Sequence, residues 1–118
     1  MRDYQKLEVW KKAHLMVLFV YSDILPLFPP SEKYELHSQV KRAVYSVPLN
    51  IVEGAGRNST MDFARFLDMS LGSCHGAEYG CLLAKNLRYL DEEKYLEINK
   101  KTNEVKAMLI GLLKRLRT

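Results

Sequence analysis

No apolar run in this chain is long. The most apolar stretch, Leu15 to Tyr21, holds seven residues before Ser22 and Asp23 interrupt it, against the roughly 20 that a membrane-spanning helix requires. Glycine and proline are scarce, six and four residues in 118, which excludes a collagenous or low-complexity chain. No stretch sustains the apolar–polar alternation of a half-buried strand. The only two cysteines, Cys74 and Cys81, are seven residues apart. On one helix that is roughly 10 Å, too far for an internal disulfide.

Signatures of chemistry are equally sparse. No Glu-x-x-His occurs, so the ligand set of a di-iron bundle is missing. Cys74, Glu78 and Cys81 share a helix face without a second ligand cluster, so the expectation is two small apolar thiols in a core, with no metal and no cofactor. His14 and His37 stand singly, and no nucleophile–histidine arrangement can be nominated from spacing. The segment from Glu53 to Thr60 contains Gly54 and Gly56 but lacks the Gly-Lys-Ser/Thr ending of a P-loop. Its glycines are expected to release a helix and form a turn; an anion beside Arg57 at the next helix start is the alternative. The expectation is therefore that the protein is not an enzyme. The first residues, Met1 to Lys12, show neither the apolar centre nor the small-residue cleavage site of a secretory signal. With the reduced thiols, this predicts a cytoplasmic protein without a membrane association.

What is present is a globular composition, 47% hydrophobic and 27% charged, sized for one domain over residues 1–118. Eighteen Lys and Arg face fourteen Asp and Glu, a net charge of +4, which permits a polyanionic partner. Apolar residues recur near a 3.6 period in four segments, so an all-α protein is expected. The first helix is predicted over residues 6–25, stopped by Pro26, Pro29 and Pro30. Ser31 is the expected N-cap of a second helix ending about Arg57, kinked at Pro48. Ser59 and Asp62 resemble a capping box for a third, which should reach Leu90. Asp91 should cap a fourth, reaching about Arg117, whose seam is Tyr95, Ile98, Thr102, Val105, Leu109, Leu112 and Leu116. Short connections favour an up-down-up-down antiparallel four-helix bundle.

The second helix carries more than a core face. Leu36, Val40, Ala43, Val47 and Ile51 make the core stripe, while Tyr34, Tyr45, Leu49 and Val52 fall roughly opposite, where a monomer should show charge to water. Those four are candidate oligomer-interface residues. Between the stripes lies a polar ladder, Gln39, Arg42, Ser46, Asn50, Glu53 and Arg57. It is read as a satisfied structural network tying helices or subunits together, in which Arg42 and Glu53 are partnered, with ligand binding as the alternative. On the third helix Gly72, Gly76, Gly80 and Ala84 recur every fourth residue, the mark of a close helix seam or, alternatively, of a ligand groove.

The run Leu7-x-Val9-Trp10-Lys11-Lys12-Ala13, the segment Gln39-x-x-Arg42-Ala43-x-x-Ser46-Val47-Pro48-x-Asn50-Ile51-x-Glu53-Gly54-x-Gly56-Arg57, and the pairs Phe63-x-x-Phe66-Leu67 and Leu71-Gly72-Ser73 resemble the four-helix-bundle family encoded in 23S rRNA intervening sequences. The resemblance implies a bundle that assembles as a ring, commonly a pentamer, without established catalysis. It also implies distant kinship to the accessory proteins of diversity-generating retroelements, which bind nucleic acid and a reverse transcriptase. The chain departs from the family pattern at Gly76, where relatives carry Glu, and at Gly80 and Cys81, where Gln and Leu are usual.

Together these readings predict a homo-oligomer that binds RNA, DNA or a nucleic-acid-processing protein. A small-molecule- or metal-binding bundle with modest activity and a purely structural adaptor are the rivals. In an up-down-up-down bundle one end collects Arg2, Lys6, Lys11, Lys12, Arg57, Arg65, Lys114, Arg115 and Arg117 against Asp3, Glu8, Glu53, Asp62 and Asp68. These nine cations are the candidate nucleic-acid contacts. The other end sets Lys33, Lys85, Arg88 and Lys94 against seven acids, Asp23, Glu32, Glu35, Asp91, Glu92, Glu93 and Glu97.

Overall fold

The computed structural model describes residues 2–118. Among them are four long helices and no strand: α1 (Glu8–Phe19), α2 (Leu36–Ala55), α3 (Thr60–Asn86) and α4 (Glu92–Leu116).

The first helical segment is not one continuous α-helix. Asp3 caps a short 3-10 turn, Tyr4–Lys6, by accepting the Gln5 N–H at 3.1 Å. Leu7 is extended (φ −79°, ψ 121°), and α1 starts after it. Beyond Phe19 the chain widens into a π-helical turn, Val20–Ile24, closed by the Leu25 N–H on the Val20 carbonyl. A 3-10 turn, Leu25–Leu27, then carries Pro26. The widened turn leaves Val20 and Ile24 fully buried in line with Val9, Ala13 and Met16.

The second helix starts later than its sequence suggests. Ser31 lies inside the 3-10 turn Pro30–Glu32, and α2 begins at Leu36. The Glu32 carboxylate does the capping: one oxygen accepts the Leu36 N–H at 3.2 Å and the other the Tyr89 hydroxyl at 2.7 Å. Tyr34 thus precedes α2 and is not part of its apolar stripe. Pro48 is buried inside α2, which runs unbroken through it to Ala55. There the Ser70 hydroxyl of α3 donates to the Val47 carbonyl at 2.8 Å.

Ser59 caps α3 by accepting the Asp62 N–H at 3.0 Å. The helix ends at Asn86, short of Leu90, because Arg88 turns left-handed (φ 67°). The Tyr89 N–H reaches the Ala84 carbonyl and the Arg88 N–H the Lys85 carbonyl, both at 2.9 Å. That pair of bonds is a Schellman closure. Asp91 caps α4 as expected, through the Lys94 N–H at 2.8 Å. Of the expected α4 seam, Ile98, Thr102, Val105 and Leu109 are buried, while Tyr95, Leu112 and Leu116 pack at its edge.

Contacts between the helices fix their directions. Ser70 of α3 meets Val47 of α2, while Gly80, later in α3, packs near Val40, earlier in α2. Likewise Asp68 meets Arg117, Glu78 meets Lys106 and Lys85 meets Glu92 along α3 and α4. Lys12 meets Glu104 and Asp23 meets Lys94 along the first helical segment and α4. One contiguous apolar core runs between all four helices.

The approach of α2 to α3 depends on two glycines. A Cβ at Gly54 would lie 2.7 Å from Phe66 Cβ, and one at Gly80 would lie 2.6 Å from Val40 Cγ2. Gly54 therefore admits α3 against α2 and does not release the helix into a turn. In the four-residue stripe, Gly80 and Ala84 form the seam. Gly76 faces Ala43 at ordinary contact distance, and nothing lies within 4 Å of a Cβ at Gly72.

Candidate nucleic-acid and oligomer interfaces

The nine basic residues differ sharply in what holds them. Arg2 is a strap across the α2–α3 turn: its N–H donates to the Ala55 carbonyl at 3.0 Å and its guanidinium to the Arg57 carbonyl at 3.1 Å, 4.4 Å above the Phe63 ring. Arg57 and Arg65 share Asp62, at 3.6 and 2.9 Å, and both sit over Phe66. Lys11 pairs with Glu8 at 3.1 Å. Arg117 grips Asp68, with one bond at 3.1 Å, and its hydrogen bonding holds the Asp68 carboxyl below the usual range. Lys12 pairs with Glu104, an acid outside the expected set at this end. Among the described residues, Arg2, Lys6, Lys114 and Arg115 have no carboxylate partner, and of these Arg2 alone is held by hydrogen bonds of its side chain.

At the opposite end Lys85 and Lys94 are paired, while Lys33 and Arg88 make no ion pair among the described residues. Lys94 bridges Asp23 at 3.1 Å and Glu97 at 3.7 Å, and Lys85 meets Glu92 at 3.0 Å. Hydrogen bonds from Ser22 and Lys94 pull the Asp23 carboxyl down. Cations without an ion pair thus occur at both ends, and the basic end is distinguished by its excess of cations over acids, nine to five against four to seven.

Of the polar ladder only Arg57, just past α2, reaches another helix, through Asp62 of α3. Gln39, Arg42 and Glu53 are exposed. Ser46 donates to the Arg42 carbonyl at 2.7 Å, and Asn50 to the Ser46 carbonyl at 2.8 Å, so both bond along their own helix. Arg42 and Glu53 are 11 residues apart, roughly 16 Å along the axis, and form no ion pair with each other. The expected Arg42–Glu53 pairing is therefore absent within one chain. Sequence spacing gave the angular position of these groups but not what stands opposite them.

On the neighbouring side of α2, Tyr45 is 38% and Leu49 45% exposed, with Val52 half-buried. The first helical segment extends this apolar face. Lys41 lies 5.7 Å over the Tyr21 ring, and burial, then the nearby Tyr45 phenol, raises the Tyr21 pKa. Tyr21 and Leu18 are 40% and 51% exposed. Sequence reasoning missed these two residues, although the Leu15–Tyr21 run holds more apolar positions than one core stripe uses.

The two thiols and two of the histidines are engaged in packing, while His75 is exposed. Cys74 and Cys81 are buried, and desolvation pushes both thiols up to about 12. His14 stacks on Trp10 at 5.0 Å, and His37 meets Phe28 edge-on at 5.9 Å. Among the described residues, no three His, Cys, Asp or Glu side chains converge on a common point. No helix among them is long and apolar enough to cross a membrane.

The fold recurs in a solved structure, that of a protein of unknown function from the S23 ribosomal protein family of Bacteroides thetaiotaomicron. It superposes with a TM-score of 0.83 at 24% identity, over 90% of this chain and 98% of that one. A search among curated proteins gives no match. The model of the 23S rRNA-intervening sequence protein family matches residues 5–111. The interior proline of α2, the Gly54 crossing and the four-helix arrangement therefore belong to a member of the 23S rRNA-intervening sequence protein family.

Proposed function

We propose that this protein is a non-enzymatic, cytoplasmic up-down-up-down bundle that assembles into a homo-oligomeric ring, a pentamer, and binds nucleic acid through its basic end. The observation that carries the binding role is the division of charge between the two ends: nine cations against five acids at one, where Arg2, Lys6, Lys114 and Arg115 have no carboxylate partner among the described residues, and four cations against seven acids at the other. A ring with helices along its axis would repeat that polarity in every subunit. Phosphates would then bind by counterion release, with little base readout. The apolar face of Tyr45, Leu49, Val52, Leu18 and Tyr21 supports assembly, since a face this apolar gains by being covered. The family resemblance supplies the pentamer and a nucleic-acid-processing protein as a second partner.

Light scattering and filter binding test this reading. A particle about five times the 13.7 kDa chain is expected, with Leu49→Lys reducing it to smaller species. RNA and DNA should be retained at about 50 mM salt and released near 200 mM. Combined Lys6→Glu, Lys114→Glu and Arg115→Glu should abolish retention. A stable monomer would remove the ring, and undiminished retention by the triple variant would remove the basic end.

A further inference from the structure

Two of the four cations at the basic end that lack a carboxylate partner flank a groove. It lies between the start of α1 and the end of α4, has a volume of about 380 Å³, and has Lys6 and Arg115 on its rim with Leu7, Met108 and Leu112 in its lining. Pockets of roughly 300–1,000 Å³ accommodate small organic ligands. Gly111 keeps the space open, because a side chain added there would meet only the Arg115 guanidinium, 3.9 Å from its Cβ. The acid at the rim, Glu8, is already engaged by Lys11 at 3.1 Å.

The occupant these features fit has an apolar, flat body beside an anion, and belongs to a longer polyanion, since unpaired positive charge continues to Lys114. A duplex offers phosphates but keeps its base faces stacked inside. A single strand presents a base face next to its own phosphate. We infer that this groove is a seat for one nucleotide of single-stranded nucleic acid, with the base on Leu7, Met108 and Leu112 and the phosphate between Lys6 and Arg115. This inference rests on the nucleic-acid reading above and specifies the strand form and the contact.

Fluorescence anisotropy separates the two. The probes are a labelled single-stranded RNA, the same sequence as a duplex, and polyglutamate of similar length. The variants are Gly111→Leu, which fills the groove from a half-buried position in α4, and Lys114→Glu, which removes charge outside it. The single strand should bind about tenfold tighter than the duplex, and Gly111→Leu should weaken single-strand binding about fivefold or more while leaving duplex binding unchanged. An unaltered melting temperature in Gly111→Leu excludes misfolding as the cause. Equal affinity for both strand forms, or single-strand binding insensitive to Gly111→Leu, overturns the groove. If Lys114→Glu still weakens binding in that case, the basic-end reading survives it. No RNA binding at low salt overturns both, and polyglutamate binding as tight as RNA reassigns the groove to an acidic protein.

Discussion

Arg88 adopts the left-handed conformation that glycine fills most readily. Its side chain is exposed and makes no ion pair among the described residues, so little compensates the strain. Arg88→Gly is expected to stabilise the protein by about 0.5–1 kcal/mol, the left-handed penalty less the extra entropy of an unfolded glycine. Urea denaturation would show this as a raised midpoint with an unchanged slope. The same residue explains why the end of α3 was not legible in the sequence. Ala84 to Leu90 shows no glycine or proline, and nothing in an arginine announces a helix stop. Gly54 misleads in the opposite sense, because a glycine near a helix end reads as a terminator, whereas here it is the point at which Phe66 crosses α2.

At the scale of the element, α4 was readable throughout because its cap and its 3,4 seam agree with each other. The start of α2 was not. Ser31 has the right chemistry for a cap, but Pro29 and Pro30 place it in a tight turn, and the carboxylate that does cap α2 comes from Glu32. The polar ladder was legible as a face and not as a network, since helical spacing carries no information about partners from other helices. Apart from the part-buried Glu78–Lys106 pair, the ion pairs that join helices are solvent-accessible and worth little singly, but one of them sets a pH dependence. Asp68, on α3, has its carboxyl lowered by Arg117 on α4. A lowered folded pKa means that the stabilisation is complete above the unfolded value near 4 and is lost as pH falls through the folded one. Asp68→Asn should therefore lower stability at neutral pH and leave a shallower acid limb below about pH 4. Melting temperatures between pH 2 and 7 would show the two curves converging in acid; parallel curves would contradict the assignment.

The molecule is a rod of 43 × 24 × 19 Å with its two thiols inside the core, both held protonated by burial up to about 12. Cys74 and Cys81 on α3 should accordingly be inert to a thiol-specific disulfide reagent at pH 8 and react only as the bundle opens. Their labelling rate is expected to rise with denaturant together with the loss of helical circular dichroism. Fast labelling of the native protein would mean that α3 detaches locally. The division of charge between the two ends was legible from topology alone. Which cations are free was not, because Asp62, Asp68 and Glu104 reach their partners through side-chain geometry.

The π-helical turn at Val20–Ile24 also bears on how this chain tolerates changes of length. Such a turn is equivalent to an α-helix that has absorbed one surplus residue. Its surplus falls at the solvent side, where Tyr21 and Ser22 are exposed, while Val20 and Leu25 face the core. Removal of Ser22 would let Leu25 close onto Val20 through an ordinary α-helical bond, so a shorter first segment reaches the same proline-bounded exit. The Val20–Ile24 turn is thus a place where this protein can gain or lose a residue without shifting the register of α1, because everything before Val20 is already fixed by Val9, Ala13 and Met16 buried in the core.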